Sequence, residues 1–327
     1  MSTGFLEIGN VKIKKTAALA PMASVADSVY RSLCKSFGAA YVVGEMVSVK
    51  GLCFNEKLAE AYLKISSFER PIAVQLFGSE SKYFEMAMEK VLKFKPDVVD
   101  LNMGCPVNKV VKCGAGCELM NRPELAEQIV LAVVKSSKIP VTVKIRAGWN
   151  ETSVNAVDFA KRMEFCGASA VTIHARTREQ FYSGKSDWNL VAQVKKNLKI
   201  PVIASGDVVD VLSAKRLYDE TGADLIMVGR GSFGKPWLFK QIAAYLEKGE
   251  LLEEPSFEEK METMLQHIKN LCEVYGEEPG MKKARFHAIN YFYSFKNAAK
   301  LRQKSSQLKT YLDAVSLVEL AKNLKIC

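Results

Sequence analysis

No stretch of the 327-residue chain approaches the roughly 20 apolar residues of a membrane span. Glycine and proline are ordinary at 20 and 10 residues, which excludes collagen-like repeats and a Pro/Gly-rich disordered chain. The eight cysteines (Cys34, Cys53, Cys105, Cys113, Cys117, Cys166, Cys272 and Cys327) keep no regular spacing, so a disulfide framework is not expected. Scattered thiols of this kind fit a reducing, cytoplasmic location. Histidine is scarce, at three residues, and none accompanies the C-x₇-C-x₃-C of Cys105, Cys113 and Cys117. Without a C-x₂-C pair, that run is not expected to hold a metal. One segment imitates a secretory leader, Lys12 to Lys15 followed by an uncharged run from Thr16 to Ala26. The run is only 11 residues and contains Pro21, so a buried strand leading into a loop accounts for it better.

What is present is an ordinary globular composition, 48% hydrophobic and 25% charged, long enough to bury a large core. Short runs rich in Val, Ile and Ala alternate with segments of helical period, the pattern of repeated βα units around a parallel sheet. Eight such runs occur: Thr16 to Ala20, Tyr41 to Glu45, Ile72 to Phe77, Val98 to Asn102, Val141 to Ile145, Ala170 to His174, Val202 to Ser205 and Leu225 to Gly229. Eight parallel strands point to an α/β chain folded as a (β/α)₈ TIM barrel. An open doubly wound sheet would want Gly-x-Gly-x-x-Gly after the first strand, where this chain reads Ala-Pro-Met-Ala. Beyond residue 245 the patterning is helical with no strand-like run, so the expected division is a catalytic barrel over 1–245 and a small all-helical C-terminal domain over 246–327.

In such barrels the reactive groups sit where strands end and βα loops begin. These positions are polar here: Glu45, Gln75, Asn102 to Cys105, Lys144, Arg146, His174, Arg176, Ser205 to Asp207, Gly229 and Arg230. Gly206 and Gly229-Arg230 follow the seventh and eighth runs, where barrels commonly bind phosphate through backbone N–H groups. Lys144 and Gln75 could bond the edge of a planar ring, with His174 against its rim. A ring joined to a phosphate suggests FMN. Cys105, flanked by Gly104 and Pro106, lies in a loop over the mouth and can reach a substrate.

In their order, Ala20-Pro21-Met22, Val74 to Gly78, Asp100 to Pro106, Lys144 to Trp149, Ile173 to Arg178, Ser205 to Asp207 and Gly229 to Trp237 resemble the tRNA-dihydrouridine synthases, and most of all the bacterial B-type subfamily. The resemblance implies an FMN enzyme that uses NADPH to reduce the C5=C6 bond of particular uridines in tRNA. Carried over, Pro21, Met22, Ala23, Gln75, Lys144, His174, Ser205, Gly206, Asp207, Gly229 and Arg230 would hold FMN. Cys105 would be the proton donor, while Asn102 and Arg176 would address the uracil and its surroundings. Two departures stand out: Ser205 replaces the family's usual Asn, and Gly116-Cys117-Glu118-Leu119 replaces Gly-Ser-Ala-Leu.

Such chemistry requires a thiol at Cys105, whose pKa nearby cations would lower. It also requires the target base to leave its stack. Net charge is +10, and residues 279–312 carry eight basic groups and no acid, interleaved with aromatics. Lys296, Lys300 and Arg302 from that stretch are expected to contact tRNA phosphates. No membrane and no obligate protein partner is implied. Two other classes fit parts of this pattern. An FMN barrel oxidoreductase acting on a free pyrimidine would leave the basic run as a solvated helix face. A non-catalytic RNA-binding protein on a retired barrel would lack bound yellow cofactor.

Overall fold

The computed structural model describes residues 4–324 apart from 294, 296 and 297. Ten strands occur among them: β1 (Phe5–Ile8), β2 (Val11–Lys14), β3 (Ala17–Leu19), β4 (Tyr41–Ser48), β5 (Ile72–Phe77), β6 (Val98–Met103), β7 (Val141–Arg146), β8 (Ala170–His174), β9 (Val202–Ser205) and β10 (Leu225–Val228). The last eight close into a parallel barrel in sequence order, β10 pairing with β3 to complete the ring. Each of these strands is packed by the barrel interior on one face and by helices on the other, which is why they read as continuous apolar runs rather than alternating ones.

The expected strands and the observed ones agree to within one residue at each end except at β4, which runs on to Ser48 through a register shift between Val43 and Met46. The two residues inside that bulge are Gly44 and Glu45, so Glu45 is re-aimed from mid-strand rather than placed at a strand end. Its Oε1 accepts from the backbone N–H of Ser24, a residue at φ 64°. Glu45 thereby pins the loop that carries Pro21, Met22 and Ala23.

An antiparallel hairpin, β1 with β2, precedes the barrel and is an addition to the expected fold. Its apolar side chains Leu6, Ile8 and Ile13 are all at most 4% exposed and join a core with Tyr41, Val98, Ala170 and Leu225, residues that open their strands. The hairpin therefore corks the N-terminal end of the barrel. Its turn residue Gly9 sits at φ 57° against the ring of Pro140, which a Cβ would approach to 2.5 Å.

The last barrel helix, Leu238–Lys248, ends at Gly249 in the left-handed region, slightly beyond residue 245. Helices Phe257–Tyr275, Glu277–Tyr291, Ala299–Ser305 and Tyr311–Asn323 follow. The first of them opens with a capping box between Ser256 and Glu259. Met264, Ile268, Leu271, Ala284, Ala288, Leu301 and Leu317 build a core that also takes in Val29 and Trp237 from the barrel. At that junction Tyr30 donates to Ser232 O at 2.7 Å, and its ring lies 5.0 Å from that of His287. No helix among the described residues is long and apolar enough to cross a membrane.

Truncating Ile8, which is fully buried beneath the barrel, should cost about 2–5 kcal/mol. A denaturant titration of Ile8→Ala checks this, with the midpoint falling and the slope unchanged.

Candidate active site

The C-terminal ends of the strands surround two adjoining cavities of about 320 and 410 Å³ that share Pro21, Met22, Lys144, His174, Tyr182 and Arg230 as walls. The smaller is bounded by the loops after β9 and β10. Gly206 at φ 122° permits an approach that any side chain would block, since a Cβ would come within 2.5 Å of Ser186 Oγ and 2.9 Å of the His174 ring. Gly231 is equally tight, with Val208 O 2.0 Å from where its Cβ would be. Among the described residues no acceptor binds the backbone N–H of Asp207 or Val208, and Ser186 Oγ is buried without a partner. These are the makings of an anion cradle.

Charge around the cradle is strongly positive. Lys144 is half-buried with no hydrogen-bond acceptor among the described residues, and burial, aided by Arg146, draws its pKa down to about 8. The Arg230 guanidinium lies 4.3 Å from the centroid of the Tyr182 ring. His174 is held far below its ordinary pKa, first by burial and then by Lys144, Arg146, Arg176 and Arg230. It is therefore neutral. Arg176 Nη1, a donor, stands 3.2 Å from His174 Nε2, which makes Nε2 the acceptor and leaves the ring proton on Nδ1.

The larger cavity contains Cys105. Its backbone N–H donates to Asn102 Oδ1 at 2.9 Å, and Asn102 Nδ2 donates to Gln75 Oε1 at 2.8 Å. Gln75 Nε2 donates to Asp100 Oδ2 at 2.7 Å, and Thr142 Oγ1 donates to Asp100 Oδ1 at 2.6 Å. Burial raises the Asp100 pKa to about 6, against the opposing pull of Thr142, Gln75 and Lys144, so the carboxyl remains mostly ionised at neutral pH. Burial also raises the Cys105 pKa, outweighing a backbone hydrogen bond from Val107 and the charges of Arg146 and Lys144. The expected lowering by neighbouring cations is thus overruled by desolvation, and the group is a thiol at neutral pH.

Of the residues singled out in the sequence, Pro21, Met22, Ala23, Gln75, Asn102, Cys105, Lys144, His174, Ser205, Gly206, Asp207, Gly229 and Arg230 all line one cavity or both. Arg176 does not. It is 2% exposed, and its guanidinium is taken up by the carbonyls of Ser183 and Gly184, by Asp207 at 2.7 Å and by His174. It takes a supporting position behind His174. Lys296 lies outside the described residues. Lys300 is exposed, whereas Arg302 is half-buried over the Tyr293 ring. Within the basic stretch Lys283 pairs with Asp27 and Arg285 donates to Leu308 O, so those two cations serve the fold. Cys117 is buried with its pKa pushed up to about 12, and Cys113 is exposed.

Four site residues were given no role in the sequence reading. Arg146 clamps Gly104 O to the carbonyls of Thr177 and Phe181. Asp100 anchors the amide chain, Tyr182 caps both cavities, and Phe286 reaches in from the C-terminal helices to meet Phe233 at 5.1 Å. Arg146 and Asp100 belong to the same strand-end strings as Lys144 and Asn102, so their place at the barrel mouth was legible while what they bind was not.

Residues 18–325 match the family model described as dihydrouridine synthase. A probable tRNA-dihydrouridine synthase of Rickettsia conorii is 40% identical over 301 residues, 91% of this chain and 90% of its own. The tRNA-dihydrouridine synthase B of Shewanella oneidensis is 36% identical over 314 residues, 96% and 97% of the two chains. Among solved structures, a 6-hydroxypseudooxynicotine amine oxidase of Pseudomonas geniculata has a TM-score of 0.58 at 15% identity, covering 75% of this chain and 49% of its own. A histamine dehydrogenase of a Rhizobium species has a TM-score of 0.56 at 13% identity, covering 82% and 50%. At such identities these two share the fold, and the chain spans about half their length. With its closed barrel, its polar mouth and a family match over nearly the whole length, this chain belongs to the dihydrouridine synthase family of oxidoreductases.

Proposed function

We propose that this protein reduces uridines of tRNA to 5,6-dihydrouridine in the cytoplasm, using FMN in the barrel mouth and NADPH as electron donor. The observation that carries the reading is the adjacency of a glycine-walled, cation-rich cavity and a thiol-bearing one over the same strand ends. An anionic group fits the first, because Asp207 and Val208 offer free N–H groups while Lys144 and Arg230 are cations without ion-pair partners among the described residues. The FMN phosphate would be held there, with the ring edge toward Lys144 and Gln75 and the loop of Pro21, Met22 and Ala23. Ser205, 7% exposed on the same wall, stands where the family usually has Asn. Bound FMN would supply hydride to C6 of the base.

The chain's own residues do the rest. The Cys105 thiol holds the proton destined for C5, and burial keeps it on sulfur at neutral pH. Asn102 and Gln75 fix the loop that carries it. Neutral His174 offers an N–H without adding a further charge to a crowded cationic wall, and Arg176 sets its tautomer. Tyr182 and Phe286 close the sides of the cavity and exclude water. In this reading the 1–245 barrel performs the chemistry, and the helical 246–327 segment holds tRNA while lending Phe286 to the wall.

A colourless protein that neither takes up FMN nor forms dihydrouridine in tRNA with anaerobic NADPH would overturn the reading. Cys105→Ala should lower dihydrouridine formation by about 10²- to 10⁴-fold with flavin content and tRNA affinity intact, as mass analysis of digested tRNA and filter binding would show. The thiol is the active form and its pKa is raised, so the wild-type rate should hold level through neutral pH and decline only at alkaline pH as sulfur ionises. Lys300 and Lys304 are exposed on helix Ala299–Ser305, and Lys309 is exposed in the connection that follows it. Changing all three to Glu should weaken tRNA binding and flatten the plot of log affinity against log salt by roughly one unit per lost phosphate contact. NADPH-driven flavin reduction should be unaffected.

A further inference from the structure

The Cys105 loop is tied to the barrel through two side-chain amides, and an amide can be turned over, exchanging oxygen for nitrogen with little change of shape. Nothing in the shapes of Gln75 and Asn102 therefore decides the direction of the chain that runs from Asp100 to Cys105. The decision comes from its two ends. At one end the backbone N–H groups of Cys105 and Gly104, 2.9 and 3.3 Å from Asn102 Oδ1, can only donate. At the other, the ionised carboxylate of Asp100 can only accept, from Gln75 Nε2 at 2.7 Å and Thr142 Oγ1 at 2.6 Å.

Between these ends only one ordering satisfies every group. Gln75 gives its N–H to Asp100 and so turns its oxygen to Asn102, which gives its own N–H and so turns its oxygen to the loop. Reversed, Gln75 would set oxygen against carboxylate and Asn102 would set nitrogen against two backbone donors. Asp100, Gln75 and Asn102 are 3%, 1% and 9% exposed, leaving water little access to repair a reversed chain.

We propose that Asp100 is a positioning residue: as an obligate acceptor it sets the polarity of Gln75 and Asn102 and thereby holds the loop that presents Cys105 to the substrate. A functional role of this kind also accounts for a charge kept in the barrel interior, where burial works against it. The inference rests on the reading of Cys105 as the proton donor, although its structural part can be tested without that reading.

Asp100→Asn keeps the side chain's size and removes the obligate acceptor. Two measurements follow, dihydrouridine formation at saturating tRNA and the rate at which iodoacetamide alkylates Cys105 in the flavin-loaded protein, read by peptide mass mapping. The expected result is a fall in kcat of about 10²-fold, the usual scale for a misplaced reacting group. KM for tRNA should be unchanged, Cys105 alkylation faster and the melting temperature no lower, because a charge has left the interior. Adding Gln75→Glu to Asp100→Asn restores the order of donors and acceptors. The new amide at position 100 then donates to the new carboxylate at 75, which still accepts from Asn102, and the Cys105 alkylation rate should return toward that of the wild type.

Wild-type turnover in Asp100→Asn, or an unaltered alkylation rate, would overturn the proposal. So would a loss that comes with a lowered melting temperature and is not reversed by the second substitution, since that is the mark of a merely structural residue. If the wild-type protein itself forms no dihydrouridine, the functional reading fails, and the alkylation rates still decide whether Asp100 holds the loop.

Discussion

Four cations, Lys144, Arg146, Arg176 and Arg230, act on a single imidazole at the mouth of the barrel, and the fold provides only part of their compensation. Asp207 answers Arg176 at 2.7 Å, and Asp100 acts on Lys144. Arg146 is satisfied by three carbonyls and carries no ion pair among the described residues. The mouth is left with more positive charge than it neutralises, in surroundings where charge is poorly screened. His174 responds by staying neutral. The vacant backbone N–H groups after β9 add to the same attraction for an anion, and the +10 charge of the whole chain extends it to a polyanion approaching from outside.

That arrangement explains why the site rests on so many backbone carbonyls. Arg146 and Arg176 cannot both find carboxylates in a wall that must remain attractive to phosphate, so they bind the peptide oxygens of Gly104, Thr177, Phe181, Ser183 and Gly184. Each such bond fastens a mobile type of structure, a βα loop, to a rigid one, a strand end. The loop after β8 is the main beneficiary. It carries Tyr182, whose ring meets Arg230 at 4.3 Å and Arg146 at 5.5 Å, and it does so through Phe181 at φ 54°, a backbone conformation that a bulky residue rarely adopts.

The barrel was legible because its strands, buried on both faces, are written as uninterrupted Val, Ile and Ala runs, and because reactive residues follow those runs directly. Where both signals coincide, as at Lys144, His174 and Asn102, position along the chain is nearly position in space. The N-terminal hairpin is legible too, in the alternation of FLEI and VKIK about Gly9-Asn10, but the basic-then-apolar string beside it competes for the same residues. Other features depend on long-range packing. Nothing local to Phe286 says that a helix more than a hundred residues after Cys105 will reach into its cavity. The burial of Arg176 and the desolvation of Cys105 depend on which loops fold over them, and for Cys105 charge alone suggested a lowered pKa.

The corked lower end of the barrel has a kinetic meaning. Leu6, Ile8 and Ile13 fill the space beneath the strands, and the two cavities lie at the opposite rim. A cofactor seated among the glycines and a base brought up to Cys105 would have to use one doorway. Under the proposed function, a nicotinamide and a uracil that both require the same exposed face of a flavin could not be present together, so reduction of the flavin and reduction of the base would take turns, each product clearing the entrance before the next partner enters.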